Sequence, residues 1–321
     1  MKGSIKIVLG IGILLVAAAL AGVTFEQVGR ERDRTRFPQV GQSFRLGERV
    51  FNLYCSGDGT PTVVFDSSAH TAGYRWVALQ PRIAASTRAC WYDRAGYGWS
   101  DAGPAPRTFS AVSNDLHALL RAATIRPPYI LVGEGLAGFH VRVYTGLFPG
   151  EVAGAVLVDS NELGPVADEE SSKGPLGRLS PKVKALTCTV ILPGVVRLGL
   201  QRLFSNGRGQ PPITTTSLSA DQRTELIFLS NTPVAQLGGE GCTLDQSLAQ
   251  VRAAGTLGSL PLVVITSTNP GSGFSPEGQP HLVALSRAGR QVLVNSSDAM
   301  SNAITQAIRD VVNSARQDSG R

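Results

Sequence analysis

The sequence predicts an α/β fold, a mostly parallel sheet flanked by helices, and three stretches carry that prediction. The apolar run Tyr129-Ile130-Leu131-Val132 enters the turn Gly133-Glu134-Gly135. A helical stretch over 139–148 then closes at Pro149-Gly150, and a second apolar strand over 152–160 follows at once. Upstream, Thr62-Val63-Val64-Phe65-Asp66 leads through a small-residue loop and an amphipathic stretch over 76–85 into a strand over 87–92. Downstream, strands over 262–266 and 291–295 bracket a surface helix over 280–288, and a last helix over 299–315 follows. Strands and helices alternating in this way build a parallel sheet covered by helices.

The N-terminus reads differently. Lys2 and Lys6 precede nineteen residues, 7–25, that carry no charge, close to the ~20 needed to cross a bilayer. Ala19-Leu20-Ala21 has the small-x-small form of a signal cleavage site, so removal and secretion is the alternative. The length of the run, and Arg30, Arg32, Arg34 and Arg36 resembling a polar stalk near headgroups, favour an uncleaved single-pass anchor over 1–25 with a basic linker over 26–40. Positive residues flank both ends, so charge alone does not orient it.

Orientation comes from the cysteines. Cys55 and Cys90 lie on or beside core strands, and Cys188 and Cys242 both fall between the strands over 152–160 and 262–266. Two such pairs suggest disulfides and an oxidising space, with the domain outside the cytoplasm. The net charge of +6 resides partly in the N-terminal arginines, and no basic stripe interleaved with aromatics argues for nucleic acid. No H-x-x-x-H or C-x-x-C spacing supports a metal, and no cofactor is expected.

The core elements fall in 41–160 and 258–316, and 161–257 interrupts them. The interruption opens with Asp168-Glu169-Glu170-Ser171-Ser172-Lys173. It continues through an apolar, helical 183–204 broken at Pro193-Gly194, and then a loop over 207–216.

The turn Gly133-Glu134-Gly135-Leu136-Ala137-Gly138, with Asp93-Arg94-Ala95-Gly96-Tyr97-Gly98-Trp99-Ser100-Asp101 upstream and Val156-Leu157-Val158-Asp159-Ser160 downstream, resembles the α/β-hydrolase fold superfamily. The resemblance is strongest over residues 40–160. It implies an α/β-hydrolase fold: a mostly parallel, eight-stranded-type sheet flanked by helices, with a helical cap, here 161–257, inserted between strands six and seven. The cap's Leu, Val and Ile residues imply an apolar pocket beneath it, or packing against the core.

By the same resemblance the turn should read G-H-S-x-G-G. This chain has Glu134 for the histidine, Gly135 for the nucleophilic serine and Ala137 for the following glycine. An aspartate nucleophile would need a carboxylate at 135, which glycine also lacks. The family's catalytic histidine position holds Asp298, which reads equally as the N-cap of the last helix. The usual acid loop, 267–278, offers only Glu277. Asp159 stands at the other acid position some relatives use, where a loop-capping role suits it too. The resemblance places the oxyanion donors and pocket wall at Leu136, Ser67, Ser68, His70 and Glu134. Of the other histidines, His117 reads as a solvated or half-buried helix residue, His140 as a satisfied core residue and His281 as a surface one.

Two function classes follow. One is a non-catalytic protein anchored at the outer face of a bacterial-type membrane that binds a small apolar ligand or a protein partner. The other is an ester or amide hydrolase, or another activity, with a rebuilt site. With nucleophile and base removed, only the ~10³–10⁴-fold of oxyanion and binding effects would remain.

Overall fold

Alternation along each apolar strand decides which helix layer a side chain meets. On β3 (Thr62–Asp66), Val63 and Phe65 join one buried cluster with Trp76, Ile83, Ile304 and Ile308, while Val64 joins the opposite cluster with Leu116, Leu119 and Tyr144. The computed structural model describes residues 2–69, 71–163, 179–205, 218–230, 240–268 and 279–319.

β1 (Gln42–Leu46) and β2 (Arg49–Ser56) form a hairpin, and β2 pairs antiparallel with β4 (Ala89–Tyr92). From β4 onward the sheet is parallel through β3, β5 (Tyr129–Glu134), β6 (Val152–Val158), β7 (Leu262–Ser267) and β8 (Gly289–Val294). The eight strands lie in the order β1-β2-β4-β3-β5-β6-β7-β8. Helices α3 (Phe109–Ala122) and α4 (Ala137–Leu147) cover one face, and α11 (Ser297–Ser319) covers the other. α3 starts where Thr108 Oγ1 accepts from the Ala111 amide at 3.3 Å. α11 buries Met300, Ile304, Ile308 and Val311 at helical spacing. Each such side chain contributes about 1.5–3 kcal/mol on burial.

The expected helix over 76–85 forms as a 3₁₀ turn, Gly73–Trp76, and a short α2, Gln80–Ala84. Arg75 and Trp76 are pulled into the core, which a regular surface helix does not permit. The expected helix over 280–288 stops after α10 (Pro280–Val283), because Leu285 and Ser286 turn back to bond Leu257 and Leu260.

Between β6 and β7 the described helices are α5 (Pro181–Leu186), α6 (Leu192–Arg197), α7 (Leu200–Ser205), α8 (Ala220–Ser230) and α9 (Leu244–Ala253). Pro193-Gly194 does not break this region as expected. A π turn over Thr187–Ile191 lets the helix continue past a residue lacking an N–H, and the break comes at Leu198-Gly199, with Gly199 at φ +67°. The stretches 168–173 and 207–216 lie outside the described residues.

At the N-terminus, α1 (Lys2–Arg36) is one continuous helix. The expected linker over 26–40 is therefore helical as far as Arg36, and Glu26 and Asp33 pair with Arg202 of α7 at 3.0 and 2.6 Å. Disulfides join Cys55 to Cys90, which face each other across β2 and β4, and Cys188 to Cys242.

Candidate functional site

β5 delivers the chain to the carboxyl end of the sheet, where Gly135 makes the turn into α4 with φ +56°. Its amide donates to Val158 O at 3.0 Å, and its carbonyl accepts from the Gly138 and Asn161 amides at 3.2 and 3.1 Å. The left-handed conformation costs a residue with a Cβ about 1–3 kcal/mol and glycine almost nothing. The surroundings have also filled in. A Cβ on Gly135 would collide with Ser68 Oγ and lie 3.1 Å from Ser68 Cβ.

Glu134, expected on the pocket wall, is bound into an ion pair. It is 2% exposed and is gripped through both carboxylate oxygens by Arg75 Nε and Nη2 at 2.5 and 2.6 Å. Arg75, also 2% exposed, comes from the 3₁₀ turn after β3. Sequence reasoning missed it, because an arginine in an amphipathic stretch reads as solvated.

Asp159 is buried at φ +43°, and its Oδ1 accepts from the Ser267 amide at 2.6 Å, tying the end of β6 to the end of β7. Burial pushes its carboxyl up to about 6; the Ser267 bond pulls it down, Glu134 pushes it further up and Arg75 pulls it down. The geometry is that of a loop-bracing aspartate next to the Glu134–Arg75 pair.

Asp298 is exposed in the first turn of α11. It is not the N-cap: Ser296 is, with its Oγ accepting from the Ala299 amide at 3.2 Å. A carboxylate in the first turn still complements the helix dipole. His70 and Glu277 lie outside the described residues. Leu136 opens α4 and packs half-buried against the Phe109–Phe139 cluster.

Ser67 and Ser68 are held by a second buried network. Ser67 Oγ donates to Ala72 O at 3.1 Å, and Arg94 donates to the carbonyls of both serines. The same guanidinium pairs with Asp66 at 2.7 Å and with Glu240, from the segment leading into α9, at 2.9 Å. Asp66 also receives His140 Nδ1 at 2.8 Å, while His140 Nε2 stands 3.9 Å from Glu240. Burial alone would raise the Asp66 carboxyl, but Arg94 and His140 hold it below its ordinary value. Burial would likewise lower Arg94, which Glu240 and Asp66 instead keep well above its ordinary value. His140 is thus a core histidine engaged by a carboxylate. Asp66 ending an apolar strand, and Arg94 in the D-R-x-G run, were the sequence signals for this network.

The remaining histidines play other parts. His117 is half-buried, 3.0 Å from Glu151 and stacked on Phe148 with ring centroids 4.0 Å apart. Among the described residues no group of three His, Cys, Asp or Glu is arranged to hold a metal. A cleft of about 500 Å³ lined by Phe44, Tyr54, Arg88 and Ile125 lies at the amino ends of the strands. Ligands of parallel sheets bind at the carboxyl ends, where Gly135 sits.

Residues 64–183 match the family model described as the alpha/beta hydrolase fold. An uncharacterized vacuolar membrane protein of Saccharomyces cerevisiae is 35% identical over 104 residues, 31% of this chain and 16% of that protein. The uncharacterized protein YqjL of Bacillus subtilis is 33% identical over 103 residues, 32% of this chain and 41% of that protein. This chain therefore spans well under half the length of either relative. Among solved structures, a haloalkane dehalogenase loop variant from Bradyrhizobium elkanii superposes with a TM-score of 0.58 at 16% identity, covering 86% of this chain and 98% of its own. At that identity the likeness speaks for the fold.

Proposed function

We propose that this chain, which has the α/β-hydrolase fold, is a membrane-anchored member of that superfamily without serine-hydrolase activity. In this reading it binds a small apolar ligand or a protein partner and does not cleave a bond. One observation carries the reading: the elbow backbone is intact, but its central residue is glycine and the space for a side chain is taken by Ser68. The Arg75–Glu134 pair beside it and the outward position of Asp298 support it, since neither supplies an imidazole to accept a proton.

Residues 161–257 are read as a cap over the carboxyl end of the sheet, under which an apolar ligand would lie. The uncharged run over 7–25 is read as a single-pass anchor. The two disulfides favour an extracytoplasmic domain.

The test uses full-length protein in mild detergent. It should leave short-chain p-nitrophenyl esters intact and take up no fluorophosphonate probe, and native mass spectrometry should reveal a bound apolar molecule. Covalent probe uptake sinks the non-catalytic reading.

A second reading has its own observation. Ser68 Oγ occupies the volume a residue-135 side chain would fill, so a rebuilt hydrolase site would use that hydroxyl. Probe labelling abolished by Ser68→Ala would select this alternative.

A further inference from the structure

The uncharged part of α1 ends where the helices after β6 begin to touch it. Residues 7–25 are nineteen positions, about 28 Å of helix at 1.5 Å per residue, which matches the hydrocarbon thickness of a bilayer. Contact with the rest of the molecule starts in the last turn of that run. A Cβ on Gly22 would lie 2.5 Å from Leu198 O, and one on Gly199 would lie 3.0 Å from the Phe25 ring. Just beyond the run, Arg202 clamps Glu26 and Asp33. A membrane-crossing α1 therefore holds the α6–α7 junction at the membrane–water boundary.

The surface presented there is apolar and basic. Val183, Leu186, Val190, Ile191, Leu200 and Leu203 are between 36% and 58% exposed on α5, the π turn and α7. Residues 181–205 contain no acidic residue; of their four cations Lys184 pairs with Asp245 at 2.7 Å and Arg202 with Glu26 and Asp33, while Lys182 and Arg197 are exposed. Exposed apolar side chains among lysines and arginines, with no acid, are the composition of a helix lying in an anionic lipid interface.

Resting on the anchor reading above, we infer that α5–α7 form a membrane-embedded platform. They lie on the bilayer α1 crosses, with apolar side chains among the acyl chains and the exposed Lys182 and Arg197 at the headgroups. The Cys188–Cys242 disulfide links this platform to the residue next but one after Glu240, whose carboxylate meets Arg94 beneath the elbow. An apolar ligand would thereby reach the carboxyl end of the sheet from the lipid and not from water.

The experiment places a tryptophan at one exposed position at a time in the full chain: Leu14→Trp in the span, Leu186→Trp and Leu203→Trp on the platform, and Leu147→Trp and Leu293→Trp as exposed controls. Each is reconstituted into phosphatidylcholine–phosphatidylglycerol vesicles with and without acyl-chain bromines, and emission is corrected for the three native tryptophans. The expected result is a bromine-dependent loss of emission at Leu186 and Leu203 comparable with that at Leu14, with little loss at the controls. If Leu14 is quenched while Leu186 or Leu203 loses no more than the controls, the platform is overturned and the anchor stands. Cross-linked dimers through the unquenched face would then assign it to a second copy. If Leu14 is not quenched, anchor and platform fall together.

Discussion

Breaking the Glu134–Arg75 pair asks whether the space beside the Gly135 turn is filled or open. Glu134→Gln removes one charge while keeping the shape, and leaves the Arg75 guanidinium buried without its counter-ion. Both partners are 2% exposed and make two parallel bonds at 2.5 and 2.6 Å, so water cannot replace the lost partner. Removing one member of a buried pair costs about 3–5 kcal/mol, on the order of 10 °C in Tm for a domain of this size. Arg75→Met should cost a similar amount, because it leaves the Glu134 carboxylate buried without its counter-ion. The double variant Arg75→Met/Glu134→Leu should recover most of the loss, because two buried ions are exchanged for apolar groups of similar volume. Urea unfolding in mild detergent, followed through Trp76 next to Arg75, measures the cycle. Single variants that each cost less than about 1 kcal/mol and add simply in the double would mean that water reaches the pair. The site would then be an open pocket, and the argument for a filled one would be refuted.

Other outcomes follow from the same geometry. Asp159, with its carboxyl raised to about 6 chiefly by burial, binds its proton more tightly folded than unfolded. Its contribution is therefore full below pH ~4 and is lost as pH rises through 6, roughly 2–3 kcal/mol in all. Asp159→Asn should flatten the stability profile over that window; an unchanged profile would reject the assignment. Asp66, held below its ordinary value, acts with the opposite sign, and its stabilisation is lost only as pH falls below that range. Gly135→Ser should destabilise by about 1–3 kcal/mol through the φ of +56° alone. Ser68→Ala should relieve the added crowding, as thermal melts can show, and Gly135→Ser should remain inert to fluorophosphonate, because among the described residues the histidine of α4, His140, is engaged by Asp66. Cys188→Ser opens a link across 54 residues, worth about 4 kcal/mol in a chain-entropy account. Limited proteolysis should become faster within 181–205, and the thermal midpoint should fall.

The sheet was legible because its signals are local. Uninterrupted apolar strands, glycine and proline at the turns, and the helix between β5 and β6 each state their conformation within a few residues. Observed strand ends differ from the expected ones by up to two residues, as at β4 and β6. The turn after β5 was also legible, since a glycine there suits the positive φ that Gly135 adopts. Where reading failed, a distant contact had overruled local preference. The stretch over 76–85 has helical periodicity, yet Arg75 and Trp76 are held in the core by partners on β5 and β3. Ser296 took the capping role assigned to Asp298, because three successive cap-forming residues, Ser296, Ser297 and Asp298, cannot be ranked without the backbone path. Arginines after the uncharged run suggested a solvated linker, whereas that stretch is helical and its Glu26 and Asp33 pair with Arg202, far along the chain.

By itself, then, the order of residues determined the α/β sheet, the glycine at the turn after β5 and the uncharged N-terminal run, all properties of single positions or short periodic patterns. Tertiary structure alone decided that Glu134 is a buried counter-ion to Arg75, that Asp66, Arg94, His140 and Glu240 form one network, and that Ser68 fills the elbow. Those facts depend on pairing charges and filling volume between segments up to 174 residues apart, as from Asp66 to Glu240. Burial is what gives such pairs their energy, and no local pattern in the chain encodes it.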